Sequence, residues 1–172
     1  MYTINATFAM FDEIPLSSMI AATGVYVIWD GQARARPTYI GEGTVLKRLA
    51  DHAAHGTRRF CLPWNGYVAF IEGSTRSVHK CESQAVERLL LDVAKETDRD
   101  PMVNAHPGSS SIVEYFCKDE MLRVAVRGYD PLIAPKEARR LTKVKEIKAW
   151  SDGENYDFDH DWRFRRLRRH SH

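Results

Sequence analysis

No stretch of this chain is apolar for the length that a membrane-spanning helix needs, and its start lacks the basic-then-apolar pattern of a secretory leader. Cysteine is scarce. Cys61, Cys81 and Cys117 are odd in number and far apart, with no CxxC pair for zinc and no disulfide framework, so they read as buried, reduced thiols. Internal repeats and low-complexity tracts are missing as well. These gaps predict a soluble, cytoplasmic protein with no membrane partner.

What is present suits one domain, or one compact core with an appendage. The chain has 172 residues, of which 44% are hydrophobic and 10% aromatic, enough to bury an ordinary core and to exclude wholesale disorder. The net charge of +2 hides an asymmetry. Residues 1–134 carry 14 basic and 16 acidic side chains, whereas residues 135–172 carry 11 basic and 7 acidic. Such a basic end permits contact with a polyanion, and it is equally compatible with a solvated tail.

Gly24-Val25-Tyr26-Val27-Ile28-Trp29, closed by Asp30-Gly31, predicts a strand and turn. Thr38-Tyr39-Ile40-Gly41 predicts a second, short strand, antiparallel to the first. From Thr44, a candidate N-cap, Val45, Leu46, Leu49 and Ala53 recur at helical spacing, and Gly56 is a natural stop. Gly66 to Ile71 predicts a third strand. A second helix is expected from about Cys81 to Glu96, with Ala85, Val86, Leu89, Leu90, Val93 and Ala94 as its apolar set. The order is β-β-α-β-α. Beyond Ser111 the pattern is weaker: Ile112–Phe116 and Leu122–Val126 read as strands or helix pieces, and 135–150 as a Lys- and Arg-rich helix opened by proline.

Two features carry chemistry. Arg48, His52 and His55 share one face of the first helix at ~100° per residue, so a fixed cation and an imidazole project together, as they also would on any solvated face. On the second helix Glu87 falls inside the apolar arc beside Leu90, Leu91 and Ala94, where a carboxylate is costly unless it is paired or binds a cation. Tyr26 and Tyr39 on strands, and Asn104 in a turn after Pro101, are unremarkable one by one.

Taken in order, Gly24-Val25-Tyr26, Tyr39-Ile40-Gly41, Arg48 with His52, Glu87, and Pro101 with Asn104 resemble the GIY-YIG nuclease family over about residues 23–105. Val25 stands in place of the eponymous Ile, and Glu42 where many members carry Lys or another non-acidic residue. The Tyr39-to-Arg48 spacing is about one residue shorter than in the commonest members. The resemblance implies an α+β fold: a three-stranded antiparallel sheet flanked by helices, with a partly helical basic C-terminal extension. Residues 1–111 would form the nuclease core, and 112–172 an extension that contacts DNA or dimerises.

It also implies an endonuclease that hydrolyses DNA phosphodiesters with one Mg2+ or Mn2+ ion. Glu87 would be the protein ligand of that ion, Arg48 would hold the scissile phosphate, and a tyrosine would be the general base. We assign the base to Tyr26, with His52 accepting or orienting its proton, Tyr39 positioning water or phosphate, and Asn104 orienting groups at the metal. Lys136, Arg139, Arg140 and Lys143, with Arg165 and Arg166, are candidate DNA-backbone contacts, and Trp150, Trp162 and Phe164 could stack on bases or pack in the core. Duplex cleavage by one site calls for a homodimer or two sequential nicks. A restriction-type enzyme, a strand- or structure-specific nuclease and a DNA-degrading toxin share this chemistry. A non-catalytic nucleic-acid-binding module on a nuclease scaffold is the rival class.

Overall fold

A computed structural model describes residues 1–19, 22–30, 35–55, 64–71, 76–101 and 110–164. The strands are β1 (Tyr2–Met10), β2 (Thr23–Asp30), β3 (Tyr39–Thr44), β4 (Trp64–Phe70), β5 (Leu122–Gly128), β6 (Lys145–Ser151) and β7 (Tyr156–His160). The helices are α1 (Leu16–Met19), α2 (Val45–His55), α3 (Arg76–Glu96) and α4 (Ser110–Cys117). Among the described residues all seven strands join one mixed sheet in the order β3-β2-β4-β1-β5-β6-β7.

This corrects the expected three-stranded sheet. The strand that changes the architecture is β1, where Ile4, Ala6 and Phe8 are buried and Thr3, Asn5 and Thr7 between them are exposed. That period of two buries one face only, as a strand with a solvated side requires. β1 pairs antiparallel with β4 near its end, through Ala9–Val68 and Met10–Tyr67. Along its length it runs parallel to β5, from Tyr2–Leu122 to Phe8–Gly128. It thereby extends the β2–β3–β4 sheet by four strands.

The partly helical basic extension is corrected too. Residues 135–150 are not a helix. They hold a short 3₁₀ turn (Pro135–Glu137), an irregular connection and β6. In β6, Ile147 and Ala149 are buried while Lys148 and Trp150 are exposed, and the strand pairs antiparallel with β5 and β7. Pairing of Val124 with Ile147 and of Leu122 with Ala149 joins two apolar edges into one face, and this tertiary gain outweighs the modest helix preference of a Lys- and Glu-rich segment.

The main core lies between that face and α3 and α4. It includes Ile4, Phe8, Val25, Val27, Ile40, Leu89, Leu90, Val113, Val124, Ile147 and Trp162. A smaller cluster on the opposite face of the first hairpin gathers Tyr26, Ile28, Val45 and Val68, with Tyr39, Leu49 and Phe11 packed on it. The alternation of β2 thus sends Val25 and Val27 toward α3, and Tyr26 and Ile28 toward α2.

The β5–β6 connection is locked down by one buried carboxylate. Asp130 Oδ1 accepts from Trp162 Nε1 and from the backbone N–H of Leu132, each at 3.0 Å. Its Oδ2 lies 3.1 Å from Lys145 Nζ. The same connection accepts hydrogen bonds from Trp29 Nε1 at Pro131 (3.1 Å) and from the Tyr67 hydroxyl at Ile133 (2.6 Å). It is therefore fastened to the Trp29 end of β2. Of the cysteines, Cys117 is buried and Cys81 half-buried, both as free thiols, and Cys61 lies outside the described residues. Among the described residues no helix is long and apolar enough to cross a membrane.

Candidate active site

The β2–β3 register sets the two tyrosines. Tyr26 sits opposite Gly41, and Tyr39 opposite Ile28, so the phenols are diagonal neighbours on the α2 side of the sheet. Their rings stack with centroids 6.0 Å apart and planes 20° from parallel. Gly41 is what allows this. A Cβ there would lie 2.5 Å from the Tyr26 hydroxyl and 2.5 Å from Tyr39 Cε1, with no room for either ring. Gly41→Ala is therefore expected to push the phenols apart and to lower the melting temperature by several degrees, since overpacking costs about 1–3 kcal/mol. A melting curve checks this: an unchanged midpoint would mean that the hairpin takes the added methyl without strain.

Arg48 projects from the first turn of α2 and donates hydrogen bonds to both phenol oxygens. Its stem crosses Gly43, where a Cβ would stand 3.3 Å from Arg48 Cγ and where φ of +132° favours glycine in any case. Tyr26 is the largest influence raising the Arg48 guanidinium above its ordinary value. In return, burial and then Tyr39 push the Tyr26 phenol far above its ordinary value, while Arg48 pulls against them. Tyr26 is fully buried and Tyr39 only partly so.

Glu87 approaches from α3. Burial, followed by the charge of Glu42, raises its carboxyl to about 7, and Arg48 opposes the rise. Glu87 also acts electrostatically on Tyr26. The hairpin and both long helices therefore bring Tyr26, Tyr39, Arg48 and Glu87 into one electrostatically coupled group. Beside it opens a cleft of about 440 Å³ lined by Thr23, Glu42, Gly43, Thr44, Arg48 and Lys80. Glu87 is not on that wall; Glu42 and Arg48 link it to the cleft.

The sequence reading did not assign Lys80 or Thr23 to the site, took Thr44 only as an N-cap, and took Glu42 only as a departure from the family pattern. A signal for two of them was available. Glu42 is two residues from Ile40 and so takes the same face of β3, toward α3. Lys80, Gln84 and Glu87 are spaced by four and three, one stripe of α3. Burial raises the Glu42 carboxyl, offset by Lys80, by a hydrogen bond from Gln84 and by Arg48. Its Oε2 is nevertheless buried without a hydrogen-bond partner.

That orphaned oxygen and the Glu87 carboxylate are hard oxygen donors of the kind that suit a divalent cation of the Mg2+ or Mn2+ type, with Lys80 and Arg48 already offsetting part of their charge. Among the described residues no three His, Cys, Asp or Glu side chains converge. A cation here would depend on one or two carboxylates and water.

The backbone of His52 continues α2 one turn beyond Arg48, but its side chain, like the whole of Asn104, Arg165 and Arg166, lies outside the described residues. Lys136, Arg139, Arg140 and Lys143 are exposed on the β5–β6 connection and do not line the cleft. Arg140 lies 3.8 Å from Glu13 and 5.0 Å above the Tyr129 ring. Of the aromatics considered for base stacking, Trp162 is core, Phe164 packs under the Arg99 guanidinium at 3.7 Å, and Trp150 is exposed. Comparison of the chain with protein-family models, with curated proteins and with solved structures finds no match.

Proposed function

We propose that this chain is a metal-dependent endonuclease that hydrolyses DNA phosphodiester bonds at the Tyr26–Tyr39–Arg48–Glu87 group, with the chemistry of GIY-YIG nucleases. The observation that carries this reading is Arg48 hydrogen-bonded to two stacked phenols while electrostatically coupled to a half-buried carboxylate. Arg48 stands at the edge of a polar cleft, bonded to the phenols and acting on Glu42 and Glu87 as well.

Each residue then has a role that its surroundings suit. Arg48 offers a planar fork of donors to a phosphate and stabilises charge developing on its oxygens. Tyr26, whose oxygen already accepts from Arg48, is the base that takes a proton from the attacking water. Burial keeps its phenol protonated in the metal-free protein, so the base role needs more positive charge than Arg48 alone provides. A Mg2+ or Mn2+ ion held by Glu87 would supply that charge and lower the pKa of bound water. Tyr39, the more open of the pair, orients water or phosphate. His52 and Asn104 keep the roles that the resemblance implies for them.

The exposed Lys136, Arg139 and Lys143 would bind the DNA backbone without reading sequence. Their connection is fastened near Trp29, while the cleft opens at Thr23. Six residues of strand separate these points, about 20 Å at ~3.3 Å per residue, well within one duplex turn.

The test is cleavage of supercoiled plasmid and of single-stranded circular DNA with Mg2+ or Mn2+, comparing wild type, Tyr26→Phe and Arg48→Ala. We expect cleavage by wild type and a loss of roughly 10²–10⁴-fold in Tyr26→Phe. Discrete plasmid fragments would mark a restriction-type enzyme, and nicking or loss of the single-stranded circle alone a strand-specific one. A Tyr26→Phe protein that keeps most of its activity moves the base to another group. Wild type that binds DNA and cuts neither substrate overturns the enzyme reading in favour of a binding module.

A further inference from the structure

A second cavity opens where the start of β1, the first turns of α3 and the end of α4 meet, and it shares no lining residue with the Arg48 cleft. Its volume of about 540 Å³ is that of a small-molecule site. Independently of the nuclease reading, we propose that this cavity binds a small alkylated ammonium cation, held on the rings of Tyr2, Tyr115 and Phe116 with the buried Glu82 carboxylate behind Tyr2. Tyr2 takes the face of β1 that Ile4, Ala6 and Phe8 bury, so its ring turns toward the helices. α4 buries Val113 and Cys117, one turn apart, which leaves Phe116 at the margin of the core and Tyr115 outside it, 73% exposed. The Tyr2 and Phe116 rings lie 4.9 Å apart at 38°, and Tyr115 stands edge-on to Phe116 at 5.6 Å and 77°. Three neighbouring rings at unlike angles form a cage wall, not one flat surface. Cys81 adds a polarisable free thiol to it.

Charge selects the sign of the ligand. On the rim the formal charges of Lys118 and Asp119 cancel, and Glu120 pairs with the Met1 ammonium. The charge left over is Glu82. It is 6% exposed; its Oε1 accepts from the Tyr2 hydroxyl at 2.5 Å, and its Oε2 is buried without a hydrogen-bond partner. Among the described residues no cation pairs with it. A buried carboxylate left in that state is costly until positive charge comes near. A phenol that donates to a carboxylate also gains electron density on its ring, so Glu82 makes Tyr2 a stronger face for a cation. An ammonium with apolar substituents answers both demands. Its charge is drawn to the ring faces and to Glu82, and its alkyl groups cover the aromatic wall.

The experiment is titration of the full-length protein with choline and with dimethylbutanol, in which a carbon replaces the charged nitrogen, followed by ligand-observed NMR. Wild type, Tyr115→Leu and Glu82→Gln are compared, each checked by circular dichroism. Tyr115→Leu keeps an apolar side chain at an exposed position, and Glu82→Gln can still accept from Tyr2, so both are expected to fold. Choline is expected to bind wild type at least about fivefold more tightly than its neutral analogue, and each substitution to weaken choline at least about threefold while leaving the analogue unchanged. Equal affinity for the two probes overturns the proposal, because the cavity then selects apolar bulk alone. Choline binding that neither substitution changes places the probe elsewhere and overturns it too. A peptide carrying one trimethyllysine separates the sources: if it binds and choline does not, the ammonium belongs to a partner protein and the small-molecule assignment falls. Wild type that binds none of the three overturns the site altogether. None of these outcomes bears on DNA cleavage.

Discussion

Glu87→Gln is expected to abolish cleavage, by 10³-fold or more, and in the same protein to raise the melting temperature at pH 8 in EDTA. Both effects have one origin. The α3 stripe carries Glu87 into apolar surroundings beside Glu42, and its carboxyl rises from an ordinary 4.5 to about 7. A folded-state pKa above the unfolded one means that the folded protein binds the proton more tightly. Ionised Glu87 therefore works against folding above pH 7, and that penalty is relieved as pH falls from about 7 toward 4.5. The neutral amide avoids it throughout. The gain should be on the order of 1–3 kcal/mol above pH 7, a few degrees in melting temperature, and should vanish near pH 4.5. Excess Mn2+ should narrow the gap by stabilising only the wild type. Melting curves across pH settle it: a destabilised Glu87→Gln at pH 8 would mean that the carboxylate is a structural partner rather than a charge kept for function.

The second large effect concerns stability alone. Asp130→Ala is expected to cost about 3–5 kcal/mol, because it removes one partner of a buried pair and strands the others. Asp130 is 2% exposed, and without it the Trp162 indole N–H and the Leu132 amide lose their acceptor and the Lys145 ammonium its counter-charge. Asp130→Asn separates the contributions. Its amide oxygen still serves Trp162 and Leu132, so only the Lys145 pairing is lost and the cost should be about half. Urea unfolding followed by tryptophan fluorescence reads both variants. Equal stability of wild type and Asp130→Ala would show that the β5–β6 connection does not rely on this carboxylate.

The chain's periodic segments were legible and its long-range pairings were not. β2, β3 and β4 announce themselves through dense β-branched and aromatic runs, and α2 and α3 through apolar residues at helical spacing, although α3 begins at Arg76 rather than near Cys81. In β1 the polar Thr3, Asn5 and Thr7 dilute the signal, yet Ile4, Ala6 and Phe8 alternate as a one-sided strand should. What the local pattern cannot write is that its parallel partner is β5. The Lys- and Glu-rich approach to Trp150 satisfies helix preference on composition, and only pairing with β5 shows that Ile147 and Ala149 belong to one sheet face. The same holds at the site. Tyr26, Tyr39, Arg48 and Glu87 stand out as a spaced set, whereas Glu42 gains meaning only once the hairpin register turns it toward α3.

The place of β1 has a consequence for the order in which the molecule is completed. It is fourth of seven across the sheet and first along the chain, and Tyr2 must wait for Leu122 to be made before their parallel ladder can form. Loop closure over so long a separation is slow, and until it happens β1 keeps one edge of unpaired amides and carbonyls. During synthesis, Tyr26, Tyr39, Arg48 and Glu87 all emerge before β5, so the residues of the cleft exist before the sheet beside them is closed. A ribosome stalled short of residue 122 thus holds a chain whose candidate active-site residues are all made and whose central strand is still open along one side.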